Sequence, residues 1–187
     1  LTKAAKAQGY PARSVFKLEE IDRRVRLFRR GQRVLDLGAA PGSWSLYAAK
    51  NVGDTGRLLA VDVLPIARPL GNNATFAQGD ALSLQNDVLA TFAPYDVVLS
   101  DMAPSTTGSK AADQARSYEL FERAVAIVDA LGARAGSFVG KLFMSNDFVG
   151  ARDAIRALFE EVKTIRPTGT RVTSFEVFLV GLRRKGG

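Results

Sequence analysis

The chain has 187 residues, 47% of them hydrophobic and 24% charged, which suits one ordinary domain with its own core and is short for two. It contains no cysteine and no histidine, which excludes disulfide frameworks, zinc held by Cys or His, and nucleophilic machinery of the Cys–His or Ser–His–Asp type. The net charge of +7 is concentrated in residues 1–33, where ten bases face three acids (Glu19, Glu20, Asp22), while the rest of the chain is balanced.

A neutral body with one basic end suits a polyanion, because clustered cations displace counterions from phosphates; a solvated basic helix accounts for the charge equally well. No apolar run approaches the ~20 residues that cross a bilayer, so a cytoplasmic protein with no membrane partner is expected. No signal-peptide pattern opens the chain and position 1 is leucine, so the natural N-terminus is expected to lie upstream.

The first predicted element is a helix from Ser14 to Leu27. Val15, Leu18, Ile21, Val25 and Phe28 form its apolar stripe, leaving Arg23, Arg24, Arg26 and Arg30 mostly free to face solvent. Arg33–Leu37 reads as a buried strand and Gly42–Asn51 as the helix after it. Strands follow at Arg57–Asp62 and Thr75–Gln78, a short helix at Asp87–Phe92, and a strand at Tyr95–Ser100. A long helix is predicted over Asp113–Leu131, with Tyr118, Phe121, Val125 and Val128 inward. Gly136–Phe143 is a strand, Phe148–Phe159 a helix, and Val162–Arg166 and Phe175–Leu182 are closing strands around a Pro167–Thr170 loop. This alternation predicts an α/β fold: a Rossmann-like, doubly wound, seven-stranded and mostly parallel sheet with helices on both faces. The whole chain, 1–187, reads as a single domain with a basic N-terminal helical segment over 1–33.

The densest local signal is Val34-Leu-Asp-Leu-Gly-Ala-Ala-Pro-Gly-Ser-Trp44. A strand ends in Asp36, and a loop of small residues opens a helix; Gly38 and Gly42 permit a tight turn and close approach of a ligand to backbone. The Gly-x-x-x-Gly spacing differs from the Gly-x-Gly-x-x-Gly of dinucleotide binders, so the ligand need not carry a pyrophosphate. A zwitterionic amino-acid tail would suit Asp36 with open backbone groups. Asp62 ends the second strand, where open α/β sheets hold a ribose diol. Asp80 follows the third, where it could accept from an adenine amino group or simply cap a helix. Singly these acids are ordinary turn residues; three in order at successive strand ends are hard to explain as caps.

This constellation resembles class I S-adenosylmethionine-dependent methyltransferases. The wording Asp-Leu-Gly-Ala-Ala-Pro-Gly-x-Trp resembles the FtsJ/RrmJ family of RNA ribose 2′-O-methyltransferases, and the likeness runs from Arg13-Ser-Val-Phe-Lys17 to Glu176-Val-Phe-Leu-Val180. It implies S-adenosylmethionine as cofactor, held by Asp36, Gly38, Ala40, Pro41, Gly42, Trp44, Asp62, Asp80 and Asp101. No metal is implied. It also implies a catalytic Lys-Asp-Lys-Glu quartet at Lys17, Asp101, Lys141 and Glu176.

Read alone, Lys17 is one more cation on a basic helix, Asp101 a strand-end turn residue, and Glu176 a residue on a wet strand face. Lys141 stands out, because Gly136–Phe143 reads as a central strand, where an unpaired charge is costly; on an edge strand it would merely discourage aggregation. A ribose hydroxyl is a weak acid, so attack on a sulfonium methyl needs its proton drawn off and its oxygen aligned. Lys141 would act as base or steer the hydroxyl, Asp101 would hold Lys141 and favour the sulfonium, and Lys17 with Glu176 would place the ribose and its phosphate.

The absence of cysteine argues against methylation at pyrimidine C5. The loop Asp101-Met-Ala-Pro-Ser105 lacks the Pro-Pro-aromatic grip of exocyclic-amine methylases, which favours ribose oxygen. Ser105 stands where the family often has Asn, Gly132–Gly136 replaces a Pro-Gly-Gly turn, and Gly140 replaces a bulkier residue. The resemblance further implies RNA as partner, in compact bacterial-type members a uridine of 23S-type ribosomal RNA in the 50S particle, and a monomer. The alternatives are tRNA or mRNA-cap methylation, a catalytically weak RNA-binding module on the same fold, or a Rossmann-like oxidoreductase.

Overall fold

The computed structural model describes residues 2–168 and 175–186. Seven strands form one sheet in the order β3-β2-β1-β4-β5-β7-β6. They are β1 (Arg33–Leu37), β2 (Arg57–Asp62), β3 (Ala74–Gln78), β4 (Tyr95–Ser100), β5 (Gly132–Phe143), β6 (Phe159–Ile165) and β7 (Glu176–Arg184). The first five run parallel, and β7 is antiparallel to both β5 and β6. The doubly wound α/β fold expected from the sequence is the fold observed.

Alternation along the strands divides the core into two layers. Val34, Leu58, Val97, Val139, Phe178 and Val180 meet α2 (Val15–Val25) and α3 (Ser43–Val52) on one face. Leu35, Leu37, Val61, Val98, Phe138 and Leu179 meet the other helices: α4 (Asn86–Leu89), α5 (Lys110–Leu131) and α6 (Phe148–Leu158). Gly140 belongs to this second layer, where a Cβ would come within 2.5 Å of the Phe138 ring and 2.9 Å of Phe121. Its smallness is therefore a packing requirement.

Several boundaries differ from expectation. A short helix α1 (Lys3–Ala7), capped by Thr2, precedes the basic helix. Helix α2 ends at Val25 instead of Leu27, because Arg26 turns left-handed (φ 53) and Asp22 Oδ1 accepts from the N–H groups of Leu27 and Phe28. Helix α5 begins at Lys110, three residues early, behind the Ser109 cap, and α4 is shorter than predicted. Gly132–Gly136 is the start of β5, joined to β4 across a register shift at Tyr95–Val97, and not a turn. Strand β6 takes Phe159, whose ring packs near Phe138, from the preceding helix. Part of the predicted Pro167–Thr170 loop lies outside the described residues.

Candidate active site

The sheet order reverses between β1 and β4, the place where loops leaving adjacent strands diverge and open a crevice. The loop after β1 turns at Gly38 (φ +75), where a Cβ would come within 2.9 Å of the Met102 backbone in the loop after β4. That glycine keeps the two loops close without filling the crevice. A cleft of about 670 Å³ opens there.

Four of the sequence-predicted acids sit at this edge or just beneath it, and three line the cleft. Asp62, at the end of β2, accepts from Ala40 N–H at 2.8 Å and Leu64 N–H at 3.0 Å. Asp80, after β3, accepts from Leu82 N–H at 2.9 Å, so it is a turn-former as well as a wall of the cleft. Asp101 follows β4 and also lines it, with Gly38 and Ala40. Carboxylate oxygens have more than one lone pair, so Asp62 and Asp80 keep acceptor capacity for a ligand. Beside them Val63, Leu64 and Leu82 are exposed apolar side chains that line the same cleft.

Asp36 lies beneath this edge. It shares Val34's side of β1, so it points under α3 and not into the cleft. Fully buried, it accepts from Ser45 Oγ at 2.6 Å, and its other oxygen has no hydrogen-bond partner among the described residues. Burial pushes its carboxyl up to about 7, against the Ser45 hydrogen bond and with help from Asp101 and Asp62. Pro41, Gly42 and Trp44 also stand outside the cleft lining. Pro41 accepts from Ala67 N–H, Gly42 lies under Leu70, and Trp44 is core: its indole N–H donates to Ser14 O at 2.9 Å and its ring packs on Phe178.

The quartet is assembled from four elements. In the β5–β7 register Lys141 is opposite Phe178, and Glu176 is opposite Phe143. Facing residues in a ladder share a side, so Lys141 and Glu176 point to the α2 layer. Helix α2 delivers Lys17 there, and Lys17 pairs with Glu176. Lys141 Nζ is 3.1 Å from Asp101 Oδ1, its side chain 10% exposed. Burial pushes the Asp101 carboxyl up; Lys141 and then Lys17 pull it down, and Glu176 adds to the rise. The other three charges thus all act on Asp101, which belongs both to this cluster and to the cleft.

The sequence matches the FtsJ-like methyltransferase family over residues 10–184. The chain belongs to that family. As an FtsJ-like enzyme it is an S-adenosylmethionine-dependent methyltransferase, and the oxidoreductase alternative falls. A ribosomal RNA large subunit methyltransferase E of Sorangium cellulosum is 74% identical over 184 residues, covering 98% of this chain and 87% of that protein. One from Bdellovibrio bacteriovorus is 48% identical over 185 residues, covering 97% and 94%. Among solved structures, a Plasmodium falciparum protein provisionally assigned as a ribosomal RNA methyltransferase superposes with TM-score 0.79 at 22% identity, covering 95% of this chain and all of that one. Aeropyrum pernix fibrillarin bound to S-adenosyl-L-methionine superposes with TM-score 0.62 at 16% identity, covering 82% and 67%. At these identities the two structures speak for the fold alone.

The residues of the FtsJ-like cleft fit the cofactor. Its apolar walls suit a purine, its acids suit hydroxyl and amino donors, and the glycine-bounded crevice admits an extended tail. Sequence reasoning missed the apolar walls and Arg116, Glu119 and Leu120 of α5, which also line the cleft. The pair Val63-Leu64 directly after a strand-ending acid was a usable signal. The α5 residues gave none, since they sit on an ordinary polar helix face.

Proposed function

We propose that this enzyme methylates the 2′-oxygen of a ribose in RNA, and specifically of a uridine in 23S-type ribosomal RNA within the 50S particle, working as a cytoplasmic monomer. The observation that carries the reading is Lys141: a lysine in a central strand, its side chain only 10% exposed and paired with a carboxylate that also walls the cofactor cleft. The names of the relatives support the substrate class. Asp62 and Asp80 would hold the cofactor's hydroxyl and amino groups, with Gly38 and Ala40 offering backbone. Asp36 would act from below, through Ser45 at the start of α3.

Bound S-adenosylmethionine supplies an electrophilic methyl carbon on a positive sulfur. The 2′-oxygen forms its bond to that carbon as the sulfur–carbon bond breaks, and the hydroxyl proton must leave. Burial holds the Asp101 carboxyl above its ordinary range, so Asp101 can share the Lys141 proton, and the amine then takes the proton of the hydroxyl. The Lys17–Glu176 pair sets the ribose: the ammonium faces the adjoining phosphate and the carboxylate accepts from a sugar hydroxyl.

The deciding experiment incubates the protein with labelled S-adenosylmethionine and 50S subunits or free 23S RNA that lack the modification. Label should enter the 50S RNA, in an alkali-resistant dinucleotide that digests to 2′-O-methyluridine. Label in a base would overturn the ribose assignment, and no label in RNA would overturn it and leave the RNA-binding-module alternative standing. Lys141→Ala should abolish transfer while S-adenosylhomocysteine affinity by calorimetry stays within about twofold.

A further inference from the structure

The cofactor cleft and the quartet leave a second hollow unused. A groove of about 620 Å³ lies beside α3, and the loop after β2 contributes to both: Val63 and Leu64 to the cleft, Arg68 and Leu70 to the groove. Three exposed cations line it, Arg30, Lys50 and Arg68, against one carboxylate, Asp54. None of the three joins an ion pair among the described residues, so their charge is open to a ligand. Two of the three cations, Lys50 and Arg68, come from outside the basic N-terminal segment, so the groove gathers positive charge that sequence order disperses.

The groove is also built, not merely charged. Asn73 Nδ2 donates to Ala49 O at 2.9 Å and Gly53 O at 3.0 Å, fixing its floor to α3. Gly53 (φ +68) leaves room for the Arg30 guanidinium, which a Cβ would meet at 2.4 Å. Arg30 thus lies at the C-terminal end of α3, where a cation is favoured. Half-buried Tyr10 adds a ring beside Arg68.

The groove is tied to the reaction centre by a short, pinned path. Ser43 Oγ both accepts from Ala12 N–H at 2.8 Å and donates to Ala12 O. Tyr10 and Lys17 are thus joined by at most about 25 Å of chain, with exposed Arg13 between them.

We infer that this groove is a second RNA subsite. It takes the phosphodiester backbone of the single-stranded stretch that continues from the nucleotide at Lys17, with Arg30, Lys50 and Arg68 on phosphates and Tyr10 against a base. The inference rests on the RNA reading above.

The test measures anisotropy of labelled oligouridylate with the full protein as salt is varied. Lys50→Glu with Arg68→Glu should weaken binding at least tenfold at low salt and flatten the log–log salt slope by about 1.4, two phosphates' worth. S-adenosylhomocysteine affinity should hold, Tm should fall only by what reversing the Lys50 charge in the last turn of α3 costs, and KM for RNA should rise with kcat unchanged. Arg30→Gln, assayed separately because Arg30 packs on Gly53, should flatten the slope by about 0.7. Unchanged affinity and slope in the double variant would overturn the subsite. Oligouridylate binding does not depend on which atom is methylated. A flattened slope in a protein that leaves 50S RNA unlabelled therefore keeps the groove and sinks the 2′-O reading, while intact binding in a protein that labels it sinks the groove alone.

Discussion

At the scale of single residues, Asp36 responds to pH although water does not reach it. Its carboxyl rises from 3.8 to about 7 on folding, burial being the cause. A raised folded value means the folded state holds the proton more tightly. The stabilisation is whole below the unfolded value and is lost as pH climbs through about 7. The full swing is at most about 4 kcal/mol for a shift of that size. Asp36→Asn keeps an acceptor for Ser45 and removes the titration. Its Tm advantage over the parent should therefore grow from about pH 5 to about pH 8, and a constant difference would mean that Asp36 does not titrate there. Gly38 is constrained by space. Gly38→Ala must accommodate a Cβ against the Met102 backbone at a positive φ. It should cost at least ~1 kcal/mol of stability and weaken S-adenosylhomocysteine binding more than tenfold by calorimetry.

At the scale of elements, the basic helix is a positioning device for Lys17. Its anchors are the Trp44 indole bond to Ser14 and buried Glu20, which accepts from the N–H and hydroxyl of Thr168 beyond β6 and pairs with Arg24. Trp44→Phe loses the N–H bond and some packing, so denaturant unfolding should show a loss of about 1–3 kcal/mol. Its kcat should fall more than its cofactor affinity, because Trp44 stands outside the cleft. Much of this architecture was legible in sequence. Strands β1, β2 and β4 are continuous apolar runs because both faces are covered, and their limits were read to the residue. The quartet's convergence was legible through motif wording, not through spacing, since no local pattern reports that β7 runs backwards. Two placements were less legible. Asp36 closes the apolar strand in sequence, and only the alternation Val34-Leu35-Asp36 tells that it lies under a helix. Trp44 adjoins the ligand loop in sequence, while the first turn of α3 rotates it into the core. The start of β5 was hidden by glycines that pair with β4 only across a register shift.

At the scale of the whole molecule, one sheet carries both core layers from edge to edge. Calorimetric unfolding should be one transition with equal van't Hoff and calorimetric enthalpies, and two resolved transitions would show that the basic segment folds apart. The reversed run of β7 has a further consequence. Strands β1 to β4 and α5 finish the cofactor cleft by about residue 120, but Glu176 reaches the same edge only because the final strand comes back against its neighbours. Because β5 and β7 also complete both core layers, a ribosome must release the last strand before either donor uptake or methyl transfer begins, and a chain cut short before β7 should show neither.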